Sequence, residues 1–244
     1  MTKCEPGTGR WLLDSAEVTD WLDKENQTLF CPGAPGAGKT FQMSILGDHL
    51  LNKFQDNNTV SVAFLYYNYQ RQDQKAEYFV LNLIKQLAKH QNPLPAIVEK
   101  LYDEHERGNT RPLLKDLSEI LASLIKSFSR VFILIDALDE YEDNGSQTKL
   151  LDQLFTIQEK TSLNLFATSR PIPRITKKFE FMGCLRREIS PNPHDIFHFL
   201  DSRMSELPDF VAGDAALQKE IKISIESSIE GMQVFTVKND ITVN

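Results

Sequence analysis

The sequence predicts an α/β fold built on a parallel sheet, and three observations carry that expectation. Short apolar runs alternate with longer segments of helical spacing, the order that places parallel strands beneath crossover helices. The runs from Val60 to Tyr69 and from Val131 to Ile135 are apolar on both faces, as in strands covered from both sides. A glycine loop, Gly33-Ala34-Pro35-Gly36-Ala37-Gly38-Lys39-Thr40, joins another short run directly to a helix.

Met1 to Asn26 is a lead-in that opens with Gly and Pro and turns helical. In it Asp14 and Glu17 read as a capping pair, and Val18, Trp21 and Leu22 form a short apolar stripe. Thr28 to Cys31 is a brief strand. Past the glycine loop, Lys39 to Phe54 has helical spacing at Phe41, Ile45 and Leu50. After the strand at Val60 comes a helix with Val80, Leu83, Ile84 and Leu87 on one face. Pro93 and Pro95 break the chain. Pro112 starts a helix whose apolar face runs through Leu113, Leu117, Ile120, Leu121, Leu124 and Phe128. The strand from Val131 ends at Asp136. A helix around Leu150, Leu151, Leu154 and Phe155 leads to a strand from Asn164 to Ser169, closed by Arg170-Pro171. Cys184 to Ile189 reads as a further strand, and Pro193 opens a helix with Ile196, Phe197, Leu200 and Met204 inward. No repeat of solenoid period is visible.

A length of 244 residues allows one large α/β domain, or one with an appendage. The 41% hydrophobic and 25% charged shares are those of an ordinary globule. A net charge of -7 with no strong basic cluster excludes a nucleic-acid partner at this level of reading. The pairs Lys177-Lys178 and Arg186-Arg187 read as solvated surface. The start lacks the apolar stretch of a signal peptide, and the run from Val131 to Ile135 is too short to span a bilayer, so no membrane partner is expected. Cys4, Cys31 and Cys184 are odd in number and scattered, with no C-x-x-C spacing. That usage fits buried, inert thiols in a reducing, cytoplasmic setting rather than zinc or a redox pair.

Strand, G-x-x-x-x-G-K-[ST], then helix is the context of a P-loop. Glycines let the backbone curl so that its N–H groups face a phosphate, and the helix start adds its positive dipole end. On this reading Gly33, Ala34, Pro35, Gly36, Ala37, Gly38, Lys39 and Thr40 bind a nucleotide. Lys39 reaches the β- and γ-phosphates, and the Thr40 hydroxyl ligates Mg²⁺. Asp136 ends a buried strand, where ligands of open α/β sheets bind, and can hold Mg²⁺ directly or through water. Asp139 and Glu140 each offer a carboxylate to orient or deprotonate an attacking water, and the sequence leaves the choice open. The plainer reading of this cluster is an acidic helix start. Arg170, ending the next strand, can contact a γ-phosphate, the alternative being a loop arginine paired with a surface acid. His194 and His198, at i and i+4, read as solvated for want of a third ligand. Phe64, Tyr66, Tyr67 and Tyr69 read as strand core.

Together, the loop, the strand ending Asp-Ala-Leu-Asp-Glu and the strand end Thr-Ser-Arg-Pro resemble a NACHT-type NTPase of the STAND class. The likeness is greatest to the nephrocystin-like N-terminal module of fungal repeat-containing NOD-like receptors. The lead-in from Gly7 to Ser15 and the stretch Tyr69-Gln70-Arg71-Gln72-Asp73 are similar to that subgroup too. The resemblance runs from about Gly7 to Gly231. It implies a P-loop NTPase three-layer sandwich with a five-stranded parallel sheet of order 5-1-4-3-2, in which the Arg170 strand lies between the P-loop and Asp136 strands. It divides the chain into a lead-in (1–26), a NACHT-type domain (27–207) and a helix with an atypical tail (208–244). It also implies a signalling switch that takes ATP and ADP with Mg²⁺ and turns over slowly, partnered by itself or by other signalling proteins. No residue pattern decides adenine against guanine, so GTP and GDP stay open.

The helix bearing Leu217, Ile221, Ile225 and Ile229 reaches Gly231-Met232, where relatives continue into another apolar helix. Here an alternating tail comes next, which reads as a premature end or a mispredicted splice. Two other classes compete. A P-loop phosphotransferase needs an arginine-rich lid, which is not visible. A fragment that only binds nucleotide or other proteins needs neither lid nor sensor.

Overall fold

The computed structural model describes residues 8–66, 75–89, 91, 93–108, 111–140, 145–203 and 209–225. Tyr67, the stretch from Tyr69 to Asp73, Met204, Ile229 and the tail after residue 225 lie outside them. Five strands form one parallel sheet: β1 (Thr28–Pro32), β2 (Val60–Tyr66), β3 (Arg130–Asp136), β4 (Leu163–Ser169) and β5 (Leu185–Arg186). Their spatial order is β2-β3-β4-β1-β5, which is the expected 5-1-4-3-2 read from the other edge. Around the sheet lie α1 (Arg10–Leu13), α2 (Ala16–Asp23), α3 (Lys39–Lys53), α4 (Ala76–Lys89), α5 (Ala96–Gly108), α6 (Leu114–Lys126), α7 (Ser146–Gln158), α8 (Pro173–Phe181), α9 (Pro193–Arg203) and α10 (Asp209–Ala212). Residues 215–225 are also helical.

The period of two along each strand builds the three layers. Val131, Ile133 and Ile135 of β3, with Leu163, Leu165 and Ala167 of β4, share one cluster with side chains of α4, α6, α7 and α8. Phe132, Leu134 and Phe166 point the other way, into a second cluster with Trp21 of α2 and Met43, Leu46 and Leu50 of α3. Because both faces are buried, neither shows the polar alternation of a one-sided sheet. The same parity continues to the strand ends. Asp136 follows Phe132 and Leu134 onto the α3 side, and Thr168 follows Phe166 there.

Several local expectations are corrected. The α2 cap is Ser15, whose Oγ accepts from the Val18 N–H at 3.3 Å, and not Asp14. A serine one residue later fits because the extended backbone needed at a cap falls at that position. The α3 face is rotated: of Phe41, Ile45 and Leu50 only Leu50 is buried, and Phe41 is 39% exposed. β2 is an edge strand rather than an interior one. Its open edge is blunted by Gln86 of α4, whose Oε1 accepts from Phe64 N–H at 2.9 Å and whose Nε2 donates to Phe64 C=O at 2.8 Å. Helices α5 and α8 stand where the sequence suggests none. The expected strand from Cys184 is only the two residues of β5. Among the described residues no helix is long and apolar enough to cross a membrane.

Candidate functional site

Register brings the site together at the carboxyl ends of three adjacent strands. β1 and β4 pair through Pro32 and Ser169, and β3 pairs β4 through Ile135 and Ala167. The glycine loop leaving β1, the acidic segment leaving β3 and the Thr-Ser-Arg segment leaving β4 therefore emerge side by side.

The loop is shaped by its glycines. Gly36 and Gly38 have φ of 76° and 89°, and a Cβ on either would meet nothing within 4 Å, so conformation and not crowding demands glycine there. Gly33 is glycine for the opposite reason: a Cβ would sit 2.4 Å from the Ile189 carbonyl oxygen. Gly33 N–H donates to Ser169 C=O at 3.0 Å, which ties the loop to β4. The α3 ladder begins with Gln42 N–H donating to Gly38 C=O, so the N–H groups of Lys39, Thr40 and Phe41 precede it, as at any helix start. Lys39 Nζ donates to the carbonyls of Gly33 and Ala34 at 2.7 and 2.9 Å, folded back over its own loop. Burial lowers its pKa, against the opposing pull of Asp139 and Asp136.

Asp136 is buried and accepts on both oxygens. Thr40 Oγ1 donates to Oδ2 at 2.6 Å, and Thr168 Oγ1 donates to Oδ1 at 2.5 Å. An all-oxygen pair of one hydroxyl and one carboxylate, touching at the start of α3, suits a hard divalent cation that keeps most of its water, as Mg²⁺ does. Ala137 then takes φ of 55°, a left-handed conformation rare outside glycine. The bend delivers the chain into a 3₁₀ turn, Leu138–Glu140.

Asp139 and Glu140 part ways on that turn. Asp139 is all but buried, and both its oxygens are engaged by Arg170: the backbone N–H donates to Oδ1 at 2.8 Å and Nε to Oδ2 at 2.5 Å. Burial alone would raise the Asp139 pKa, but the Arg170 hydrogen bonds and charge outweigh it and hold the carboxyl below its ordinary value. Glu140 is shifted up, first by burial and then by repulsion from Asp139 and Asp136. The sequence-predicted residues Lys39, Thr40, Asp136, Asp139, Glu140 and Arg170 thus gather at the carboxyl end of the sheet. Thr168 joins them without having been singled out by sequence, although the strand parity that places Asp136 places Thr168 too. Elsewhere, His194 and His198 are exposed, with ring centroids 6.4 Å apart. Cys31 is buried with its thiol pKa pushed up by desolvation, and Cys184 is raised to about 11 for the same reason.

Residues 7–170 match the family model described as Nephrocystin 3, N-terminal. No curated protein matches the chain. Among solved structures it is similar to the Aeropyrum pernix ORC1 protein in complex with DNA, with a TM-score of 0.55 at 15% identity, covering 82% of this chain and 50% of that one. It also resembles Drosophila ORC bound to DNA (TM-score 0.47, 17% identity, 74% of this chain and 41% of that chain). A third likeness is to the replication initiator DnaA bound to AMPPCP and single-stranded DNA (TM-score 0.45, 14% identity, 93% and 62%). The chain thus spans about half the length of the Aeropyrum chain, or less than half of the Drosophila one. At 15% identity the likeness to the Aeropyrum chain shows the fold alone. It also withdraws the exclusion of nucleic acid, because the Aeropyrum chain, which has this fold, is in complex with DNA. Net charge is a whole-chain sum, whereas contact with DNA is made by a local surface.

Proposed function

Because this chain belongs to the nephrocystin 3 N-terminal family, we propose that it is a nucleoside-triphosphate-binding switch module of the NACHT type. Its setting is cytoplasmic signalling, and hydrolysis is slow. The observation that carries this reading is the 2.6 Å contact of Thr40 Oγ1 with Asp136, set directly behind the Gly33–Thr40 loop. Loop N–H groups and the start of α3 bind the β-phosphate, and Lys39 swings from its own loop carbonyls onto the β- and γ-phosphates. Thr40 and Asp136 would hold Mg²⁺, which when bound neutralises charge on the phosphate oxygens. Glu140 is the group that orients water, since both Asp139 oxygens are taken up by Arg170. Its raised pKa suits a base better than the depressed one of Asp139.

Isothermal titration with ATP, ADP and AMP in Mg²⁺ tests this. ATP and ADP should bind, with AMP about tenfold weaker or worse for want of the β-phosphate, a difference of about 1.4 kcal/mol. Equal affinity for ADP and AMP, or no binding at all, would end the reading. Running GTP and GDP alongside decides the base.

Arg170 supplies the discrimination between tri- and diphosphate. To reach a γ-phosphate its guanidinium must leave Asp139, so the net gain is one charge-assisted hydrogen bond less the pair it gives up. We expect Arg170→Ala to shrink the ATP-over-ADP preference by about five- to tenfold, near the low end for such bonds. Direct titration of both nucleotides measures it, and an unchanged preference would assign Arg170 to holding Asp139 alone.

A further inference from the structure

Thr168 lies on β4 with no solvent exposure, between the residue that accepts the hydroxyl of the loop threonine and the bend after it. Its hydroxyl has one proton and two lone pairs. Ala137 N–H donates to Thr168 Oγ1 at 3.0 Å and occupies a lone pair. The proton therefore goes to Asp136, and Thr168 Oγ1 sits 2.5 Å from Oδ1. A β-branched side chain on a fully buried strand has little freedom at χ1, so the backbone of β4 fixes where the Thr168 hydroxyl oxygen sits between its two partners.

One hydroxyl does two things here. Pinning Oδ1 sets the plane of the Asp136 carboxylate and turns Oδ2 to Thr40, whose hydroxyl meets it at 2.6 Å. Accepting from Ala137 N–H steadies the left-handed residue, φ 55°, that starts the turn bearing Asp139 and Glu140. The carboxylate is thus oriented by protein groups alone, through a residue that belongs to neither the glycine loop nor the 3₁₀ turn.

We propose that Thr168 is a positioning residue for the divalent cation: it presets Asp136 so that the cation joins nucleotide and protein without a rotamer search. This rests on the nucleotide-binding reading above and adds to it a specific source of cation affinity. The competing account is structural, in which Thr168 merely satisfies two buried polar groups. That account predicts a loss of stability but no selective loss of cation-dependent binding.

The experiment compares wild type, Thr168→Val and Thr168→Ser by titration with ADP in excess Mg²⁺ and again in EDTA. Manganese binding to the ADP complex, followed by electron paramagnetic resonance, gives a second readout of the metal itself. Wild type should bind ADP more tightly with Mg²⁺ than in EDTA. The valine variant should keep its affinity in EDTA while losing cation affinity by about 10- to 100-fold, the usual cost of removing a group that orients a metal ligand. Serine restores the hydroxyl and should restore the cation effect. A valine variant whose Mg²⁺-to-EDTA ratio equals that of wild type overturns the proposal, as does one that loses both affinities in equal measure. If valine does not fold, Thr168→Cys replaces it, with a thiol that donates weakly, and the same ratio decides. Failure of wild type to bind ADP at all overturns the nucleotide reading instead, which keeps the two failures apart.

Discussion

Replacing Lys39 with alanine is expected to reduce ATP and ADP affinity by at least about 30-fold while leaving the folded chain as stable as wild type or slightly more so. The first part comes from charge. Truncating one partner of a desolvated, hydrogen-bonded charge pair costs about 2–5 kcal/mol, or roughly 30- to several thousand-fold in affinity. Lys39 is the loop's own ammonium, already held by the carbonyls of Gly33 and Ala34.

The second part comes from its protonation. Burial lowers the Lys39 pKa from its ordinary value, with Asp139 and Asp136 opposing that shift and not cancelling it. A lysine with a lowered folded pKa binds its proton more weakly in the native state than in the unfolded one. The charged form therefore opposes folding below the folded pKa, and stability rises with pH between that value and the unfolded pKa. Alanine removes this penalty. Titration calorimetry and a urea melt of the nucleotide-free variant check the two halves independently. Unchanged affinity would remove the lysine from the phosphate site, and a large loss of stability would show that its bonds to the loop hold the fold.

The parts of this molecule legible in its sequence are those set by short-range periodicity. The β3 run is apolar on both faces because two clusters bury it, and its last residue, Asp136, is placed by that alternation. The glycine loop is legible because Gly36 and Gly38 must take positive φ. Helix α8 is harder to see: its buried contacts are only Ile175 and Phe179, a single i, i+4 pair among charged residues. Helix α5 is hidden by the prolines before it, which mark a break without specifying the next element, and its mean composition is polar. Phe41 misleads because size suggests core, whereas α3 turns Met43 and Leu46 inward.

Strand order is implied by the family resemblance, but which side chains meet across the strands is not legible in the sequence. That Arg170 engages Asp139, or that Thr168 engages Asp136, depends on the register of β3 against β4, which no local pattern states. Asp139 and Glu140, equivalent as sequence, therefore differ in the fold. One is an arginine's counterion and the other is free to meet water.

Trp21→Ala should be the most destabilising single substitution outside the sheet, by about 3–5 kcal/mol. Trp21 has no exposed surface, and its ring meets Phe132 and Phe166 edge-on at 5.2 and 6.1 Å. Its indole N–H donates to Leu165 C=O at 2.8 Å. The helix that carries it is fastened again at its end, where carbonyls have no partner within the helix. Asn164 Nδ2 donates to the carbonyls of Trp21 and Lys24, at 2.5 and 2.8 Å, and Arg130 donates to both as well. The indole is therefore the apolar half of a clamp whose polar half comes from β3 and β4. Domains of this kind are stable by only about 5–15 kcal/mol, so losing the indole removes a large part of the margin. In a chain of this length the melting temperature should fall by roughly 6–20 °C. Phe132 lies four residues before Asp136, about 13 Å along the strand, so the clamp and the nucleotide site sit at opposite ends of β3. Below its melting temperature the variant should therefore bind ADP as wild type does. Calorimetric melting with and without ADP separates the two effects. An unshifted melt would mean that α2 is not integral to the core, while a selective loss of ADP binding would mean that the clamp reaches the site through the strand.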